Sequence, residues 1–306
     1  MISMVKHCML LVVMICCAFY LNAQHTYSTN NTPQLNKYQD SLVILSEETF
    51  TEKDDILRME KNAAFIKKFL GALKINGSFN YDFDSLKRIS ILKASDNSFR
   101  IVTWFIPLND GTFRYYGTIQ MATTNGTLKL FPLNDSSNSL TDNNALTNHK
   151  NWLGARYYEI IPLVMNGKQP YFILLGWKGN TQKTSKKIIE VLSFEKNEPV
   201  FGKAIFEVVK NKPLQNRVIF EYSKQNAMTL IWDKKVNMIV FDHLAPYEPK
   251  MSGNFEFYGS DLSFDAFKIN WGKLSLSENV ELRNEATINE DFYKSPKKAS
   301  QVIVNP

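Results

Sequence analysis

Cysteine is almost absent from this chain of 306 residues, and its three copies all lie within the first twenty. The sequence after Cys17 therefore has no thiol, which excludes disulfide bonds, thiol catalysis and thiolate zinc sites there. A fold without covalent crosslinks must be held together by the burial of apolar side chains.

Several catalytic motifs are also missing. The sequence contains no Gly-x-Ser-x-Gly elbow, no His-Glu-x-x-His helix, no phosphate-binding glycine loop and no Gly-x-Gly-x-x-Gly fingerprint. Serine hydrolases, zinc proteases and nucleotide-binding enzymes depend on those patterns. Their absence argues against each of these enzyme classes.

The longest apolar run is shorter than the roughly 20 residues that a membrane-spanning helix needs. It covers residues 8–20, follows the single charge of Lys6, and is followed by Leu21-Asn22-Ala23. This pattern is typical of an export signal over residues 1–23. An uncleaved membrane anchor is the alternative. We expect a protein of the periplasm, the outer cell surface or the extracellular space, with no membrane span once the signal is removed.

Charge is modest and dispersed. The formal net charge is +6, and the paired lysines are isolated from one another along the chain. A nucleic-acid-binding protein shows a basic stripe with interleaved aromatic residues, which is missing here. We therefore expect no nucleic-acid partner. A polymer or an envelope protein is the partner that an exported module would meet.

The overall composition is that of a globular protein rich in β-structure. Hydrophobic residues make up 44% and charged residues 22% of the chain, which excludes wholesale disorder. Aromatic residues reach 13%, and aromatic side chains favour pleated sheet.

Two helices are predicted within residues 24–76, after a polar leader. In the second, apolar residues recur every three or four positions, and Thr51 is a candidate for its N-cap. The stripe consists of Ile56, Met59, Ala63, Ile66, Leu70 and Leu73. A stripe of this kind predicts the face that packs on the rest of the domain.

From residue 77 to residue 290 the pattern changes to strands and tight turns. The hairpin signals are Asp110-Gly111, Asn125-Gly126 and Asn166-Gly167, because these residues tolerate positive φ. Predicted strands are 112–122, 171–177, 188–194, 200–208, 217–222, 228–232, 238–241, 254–258, 264–269 and 273–276. Strands without crossover helices must pair largely antiparallel. The polar stretch 134–150 is a candidate long loop, functional or disordered, and residues 291–306 form a tail.

An internal echo relates two of these segments. Residues 111–118 (Gly-Thr-Phe-Arg-Tyr-Tyr-Gly-Thr) parallel residues 253–260 (Gly-Asn-Phe-Glu-Phe-Tyr-Gly-Ser). A duplicated meander would favour a propeller-like architecture, whereas unrelated hairpins that share glycines and aromatics leave a sandwich-like one open. The fold class is therefore mainly β, in antiparallel meanders of either arrangement, with two N-terminal helices.

Asp242 and His243 lie at the end of a predicted strand, where loops carry function. Neighbouring residues on a strand point to opposite faces, so Asp242 cannot orient His243 unless the chain has turned. A structural histidine bonded to a turn carbonyl is the competing interpretation.

A second group of candidates follows at residues 258–265. Asp261 and Asp265, with the nearby Glu256, could ligate calcium or act as a carboxylate pair in sugar hydrolysis. Aspartates that form a turn between two strands are the simpler interpretation. No other cofactor is indicated.

Two tyrosines are candidates for a surface that binds sugars. Tyr116 and Tyr258 fall on the strand faces opposite their more apolar neighbours, so we expect them to be exposed.

Residues 239–246 and 258–265 carry a resemblance to a known group. With their Phe-Asp-His-Leu and Tyr-Gly-x-Asp markers, they resemble uncharacterised exported β-rich proteins of the Bacteroidota type. The Ala-Gln junction after the signal fits the same group. The resemblance implies export and a shared β fold, and it brings no activity, substrate or catalytic residue with it.

Three functions remain open at this point. The leading hypothesis is an exported non-catalytic module that binds a polymer or a protein partner. A carboxylate-based or calcium-dependent glycan hydrolase is the alternative. The third is a scaffold of a cell-surface assembly, which predicts an exposed strand edge or a large apolar patch.

Overall fold

The computed structural model describes residues 31–163, 171–270 and 272–281. The predicted signal at 1–23, the hairpin signal at Asn166-Gly167 and the predicted tail at 291–306 lie outside these residues.

The described chain is mainly β, as predicted, with two helices near its start. The helices are α1 (Thr32–Thr51) and α2 (Asp55–Leu73). The strands are β1 (Ser90–Lys93), β2 (Phe99–Pro107), β3 (Phe113–Met121), β4 (Leu130–Asn134), β5 (Thr147–Asn148), β6 (Arg156–Leu163), β7 (Tyr171–Gly179), β8 (Thr184–Glu195), β9 (Glu198–Phe201), β10 (Phe206–Glu207), β11 (Arg217–Ser223), β12 (Leu230–Asp233), β13 (Met238–Pro246), β14 (Tyr258–Asn270) and β15 (Lys273–Ser277). No described helix is both long and apolar enough to cross a membrane.

The chain divides into two compact units. Unit 1 comprises the chain up to Asn109 together with Gly117–Pro132, and unit 2 comprises Asp110–Tyr116 and the chain from Leu133 onward. The two helices and most of the β1-β2-β3-β4 sheet belong to unit 1. Unit 2 holds two larger sheets and every candidate site residue.

Helix α2 begins at a different cap from the one that the sequence predicts. Asp54, in an extended conformation, accepts hydrogen bonds from the backbone N–H groups of Ile56 and Leu57. Thr51 instead ends α1 and donates its hydroxyl to the Glu47 carbonyl. The aspartate satisfies donors that a helix start leaves free, so the cap prediction at Thr51 was wrong.

The predicted packing face of α2 was also wrong for most of its length. The stripe from Ile56 to Leu70 is exposed, with Ile56 at 71%, and the buried positions are Arg58, Asn62, Phe65, Phe69, Ala72 and Leu73. The buried polar groups are satisfied, because Arg58 donates to the Glu52 and Pro107 carbonyls and Asn62 accepts from Trp104. Because these buried polar side chains have hydrogen-bond partners, the face of α2 that contains them can pack against the rest of the unit.

Unit 2 is built from two sheets that share one core. One sheet has the order β10-β15-β14-β13-β12, and the other has the order β5-β9-β8-β7-β6 with β11 beside β8. The core takes buried residues from both sheets, among them Ile173, Ile189, Val218, Phe241 and Phe267. Two sheets packed through one apolar layer form the sandwich-like arrangement.

Pairing is antiparallel throughout the main ladders, as predicted, except for a two-residue parallel contact between β10 and β15. The predicted strand 200–208 is interrupted between β9 and β10, where Gly202 has φ +97°. The predicted strand 254–258 is a 3₁₀ turn at Phe255–Phe257 before β14 begins. The matching residues Phe113 to Tyr115 lie in strand β3. The two similar sequences therefore have different local structures.

The polar stretch 134–150 is held at both ends. Lys178, a buried lysine, donates to the Ser137 hydroxyl at 2.5 Å, and burial lowers the pKa of Lys178 to about 8. At the other end, the Arg217 guanidinium donates to the carbonyls of Asn143 and Ala145 at 2.8 and 2.6 Å. These contacts fix the stretch as part of the structure of unit 2.

Candidate functional site

A break in the pairing of β13 with β14 creates the site. The register shifts between Asp242 and Leu244, so His243 lies at an irregularity, and across from it Leu262 of β14 has φ +73°. Side chains normally alternate between the faces of a strand. Here four consecutive residues, 241–244, all line one cavity because the ladder is disrupted.

His243 pairs with an aspartate on the next strand and not with its neighbour Asp242. Its Nδ1 lies 2.7 Å from Asp265 Oδ2, and a carboxylate can only accept, so Nδ1 donates. The second oxygen, Asp265 Oδ1, accepts from the Asn279 backbone N–H at 3.0 Å. The hydrogen bond with Asp265 raises the pKa of His243 above its usual 6.5, and the nearby charges of Asp265, Asp261 and Glu278 add to this effect.

Asp242 is a second buried carboxylate at the same site. Its Oδ2 accepts the backbone N–H of Thr229 at 2.7 Å, which ties β13 to the chain just before β12. The side chain is largely buried, while its other oxygen makes no hydrogen bond within the described residues. Lys187 contributes a favourable charge interaction with Asp242, although burial lowers the pKa of Lys187.

The cavity has a volume of about 250 Å³ and lies entirely in unit 2. Its walls are apolar and its polar lining is acidic. The apolar lining residues are Val208, Val218, Phe220, Phe241, Leu244, Phe267 and Leu276, and the polar ones are Asp242, His243, Asp265 and Glu278. Phe241 touches both Phe220 and Phe267, with ring centroids 4.6 and 5.5 Å apart.

The other predicted site residues do not line the cavity. Asp261 is exposed and accepts from the Ser263 backbone and hydroxyl, which lowers the pKa of Asp261. Glu256 pairs with Lys183 at 2.7 Å, and that hydrogen bond lowers the pKa of Glu256.

Neither predicted tyrosine lines the cavity. Tyr258 is half-buried, and its hydroxyl accepts from the Gly253 backbone at 2.9 Å. Tyr116 is also half-buried, on β3. The expectation that both are exposed was wrong. Residues 258–265 form the first part of β14, so Asp265 is a strand residue, whereas Asp261 makes the local turn contact with Ser263 that the simpler interpretation predicts.

Sequence reasoning missed the cavity walls and Glu278. Val218 and Phe220 are two residues apart on β11, and Asp265 and Phe267 are two residues apart on β14. Side chains at this spacing lie on the same face of a strand, so the sequence does predict that the members of each pair share a face. Nothing in the sequence indicates that these faces leave a space between them.

Metal binding has no site within the described ranges. No group of three or more His, Cys, Asp or Glu side chains is arranged there to hold an ion. The lining offers carboxylates and an imidazole together with apolar side chains, which suits a group with an apolar body and a positive or hydrogen-donating end.

Comparison with known proteins adds no assignment. No protein-family model matches the chain, and neither the curated proteins nor the solved structures give a match.

Proposed function

We propose that this chain is an exported, non-catalytic binding module that holds a basic side chain of a polypeptide partner in the unit 2 cavity. The observation that carries the proposal is the combination of an acidic lining with aromatic walls in a space of about 250 Å³. Lysine and arginine side chains have the matching form, an apolar stem with a cationic head.

Charge supports a cationic occupant. Three carboxylates, those of Asp242, Asp265 and Glu278, line the cavity together with one imidazole, that of His243. Even with His243 protonated, the lining keeps a negative charge. The whole chain carries a formal charge of +6, so a cation is attracted by this local site and not by the protein in general.

The aromatic walls support the same occupant. Phe220, Phe241 and Phe267 line the cavity and give it apolar walls against which the aliphatic stem of a basic side chain can pack. A sugar-binding platform would instead need exposed tyrosines or tryptophans, and Tyr116 and Tyr258 are half-buried away from the cavity.

The lining favours binding over catalysis. It contains valine, leucine, phenylalanine, aspartate, histidine and glutamate, and none of these lining residues carries a hydroxyl, a thiol or an amine. The His243–Asp265 pair therefore has no side-chain hydroxyl or thiol to activate within the cavity. Both Asp265 oxygens are already bonded, which leaves this carboxylate poorly suited to hydrolysing a sugar.

A peptide-binding measurement tests the proposal. We expect a fluorescent octalysine peptide to bind the protein, and Glu278→Gln to weaken that binding by about tenfold because an exposed charge at the cavity is lost. Fluorescence anisotropy measures the dissociation constants. Octaglutamate is the matched probe, and Glu198→Gln, an exposed site on β9 outside the cavity, is the matched variant.

Two results would contradict the proposal. One is the absence of octalysine binding by the wild-type protein, whether or not the protein binds a sugar on a glycan array. The other is an equal effect of Glu278→Gln and Glu198→Gln on octalysine binding.

The pKa of His243 gives this binding a pH dependence. Because the folded-state pKa is raised, the imidazolium stabilises the fold below pH 6.5, and this contribution is lost as pH rises through the higher value. Loss of the proton makes the lining more negative by one charge. We therefore expect octalysine to bind more tightly as pH rises across that window, while the lysine side chains stay protonated.

The His243→Gln variant isolates this effect. We expect its binding and its unfolding free energy to vary less with pH in the same window, as measured by anisotropy and by urea denaturation. An identical pH profile in the wild type and the variant would rule out His243 as the titrating group.

A further inference from the structure

Helix α2 carries an exposed apolar stripe in unit 1. Ile56, Ala63, Ile66 and Leu70 lie along it with spacings of seven, three and four residues, and Met59 lies on the same face. All are exposed, while the opposite face of the helix is buried. Apolar positions at these intervals form the seam through which helices pair.

The stripe is nearly symmetric about its centre. Ile56 lies seven residues before Ala63, and Leu70 lies seven residues after it. In an antiparallel pair of identical helices crossing at Ala63, Ile56 of each copy therefore meets Leu70 of the other. The small side chain of Ala63 lets the two helices approach closely at the crossing point.

The charges beside the stripe are complementary under the same symmetry. Glu60 and Lys67 are both exposed and lie on the same flank of the stripe. They are spaced almost evenly about Ala63, at three residues before and four after. An antiparallel two-fold arrangement thus puts Glu60 of each copy opposite Lys67 of the other, because residues on the same flank of two antiparallel helices face one another.

We propose that the α2 stripe is a self-association surface, through which two copies of this chain pair by antiparallel contact of their α2 helices. A single two-fold register brings Ile56 against Leu70 of the other copy and also brings Glu60 against Lys67. This surface lies in unit 1, so the proposal does not depend on the ligand of the unit 2 cavity.

Analytical ultracentrifugation of the purified protein over a range of concentrations tests the proposal. We expect a monomer–dimer equilibrium, and Ile66→Glu should abolish the dimer wherever the wild type forms one. Val236→Asp, at a similarly exposed apolar residue of unit 2, should leave the dissociation constant unchanged. Circular dichroism confirms that each variant is folded.

A charge exchange tests the antiparallel register. Glu60→Lys and Lys67→Glu, each alone, should raise the dissociation constant by about tenfold or more, since each places like charges opposite one another. The double variant Glu60→Lys with Lys67→Glu should return the constant to near the wild-type value. These positions are exposed, so the variants are expected to fold.

Three outcomes would overturn the proposal. The first is a wild-type protein that is monomeric at all concentrations. The second is a monomer that loses stability in Ile66→Glu, which would mean that another part of the chain covers the stripe. The third is a dimer that survives Ile66→Glu or is not restored by the double charge exchange.

Discussion

Arg217→Met is expected to destabilise unit 2 by about 3–5 kcal/mol, because it leaves the carboxylate of Glu190 buried without its cation. Both side chains are almost wholly buried, and Arg217 Nε donates to Glu190 Oε1 at 2.7 Å. The second oxygen of Glu190 accepts from the Tyr157 hydroxyl, whose pKa burial raises well above its usual value of 10. Urea denaturation followed by tryptophan fluorescence measures this loss of stability. Trp152 is a suitable probe because it donates a hydrogen bond to Tyr157, which in turn contacts Glu190.

A matched variant separates this effect from ordinary ion pairing. Lys250→Met breaks the exposed pair with Glu248, and we expect a cost below about 1 kcal/mol. The double variant Arg217→Met with Glu190→Gln removes both charges and should recover part of the lost stability. Equal costs for Arg217→Met and Lys250→Met would contradict the role given to the buried pair.

The same substitution should release part of the 134–150 stretch. Arg217 binds the carbonyls of Asn143 and Ala145, and Asn216 bonds Asn144 through its backbone and its side chain. We expect faster amide exchange around residues 143–145 in Arg217→Met, while Lys250→Met leaves that exchange unchanged.

The second large effect is expected at the shared core of unit 2. Phe267 is 1% exposed and packs against Phe206 and Phe241, with centroid distances of 5.7 and 5.5 Å. Phe267→Ala removes a buried ring from the core that the two sheets share, so we expect a loss of about 3–5 kcal/mol in unfolding free energy. Urea denaturation measures this loss.

Phe255 is the control for that substitution. It is 40% exposed, and its ring contacts only Tyr258 among the described aromatic residues, with a centroid distance of 4.9 Å. Phe255→Ala should cost about 1 kcal/mol or less, because its surface is already partly in water. Similar losses for the two variants would mean that the aromatic layer around Phe267 is not the main source of stability.

Local patterns in the sequence predict most of the elements. The alternation at residues 112–122 and the turn glycines at 111 and 126 correspond to β3 and its flanking turns, and both glycines have positive φ. Strand periodicity and turn chemistry are properties of neighbouring residues, so one sequence is sufficient to reveal them.

The buried face of α2 could not be read in the same way. This helix carries two stripes of residues that could form its buried face. The more regular apolar stripe is the exposed one. The inner stripe includes Arg58 and Asn62, whose partners are the Pro107 carbonyl and Trp104. Those partners come from about 40 to 50 residues further along the chain, so a pattern within the helix does not contain them.

The site shows the same limit of local reasoning. Asp242, His243 and Asp265 were candidates, and the structure brings them to one cavity, whereas Glu256 and Tyr258 lie elsewhere. The partner of His243 depends on the register of β13 with β14. A register is a relation between strands, and sequence alternation alone does not determine it.

An NMR titration tests the central claim, that the cavity holds a basic side chain, most directly. Four lining residues carry methyl groups: Val208, Val218, Leu244 and Leu276. We expect N-acetyl-lysine methylamide to shift these four methyl signals progressively, and N-acetyl-glutamate methylamide to leave them unchanged. The account would be contradicted if the four methyl signals did not move, or if both probes shifted them equally. It would also be contradicted if the lysine probe shifted the methyl signals of Val236, which does not line the cavity, by the same amount.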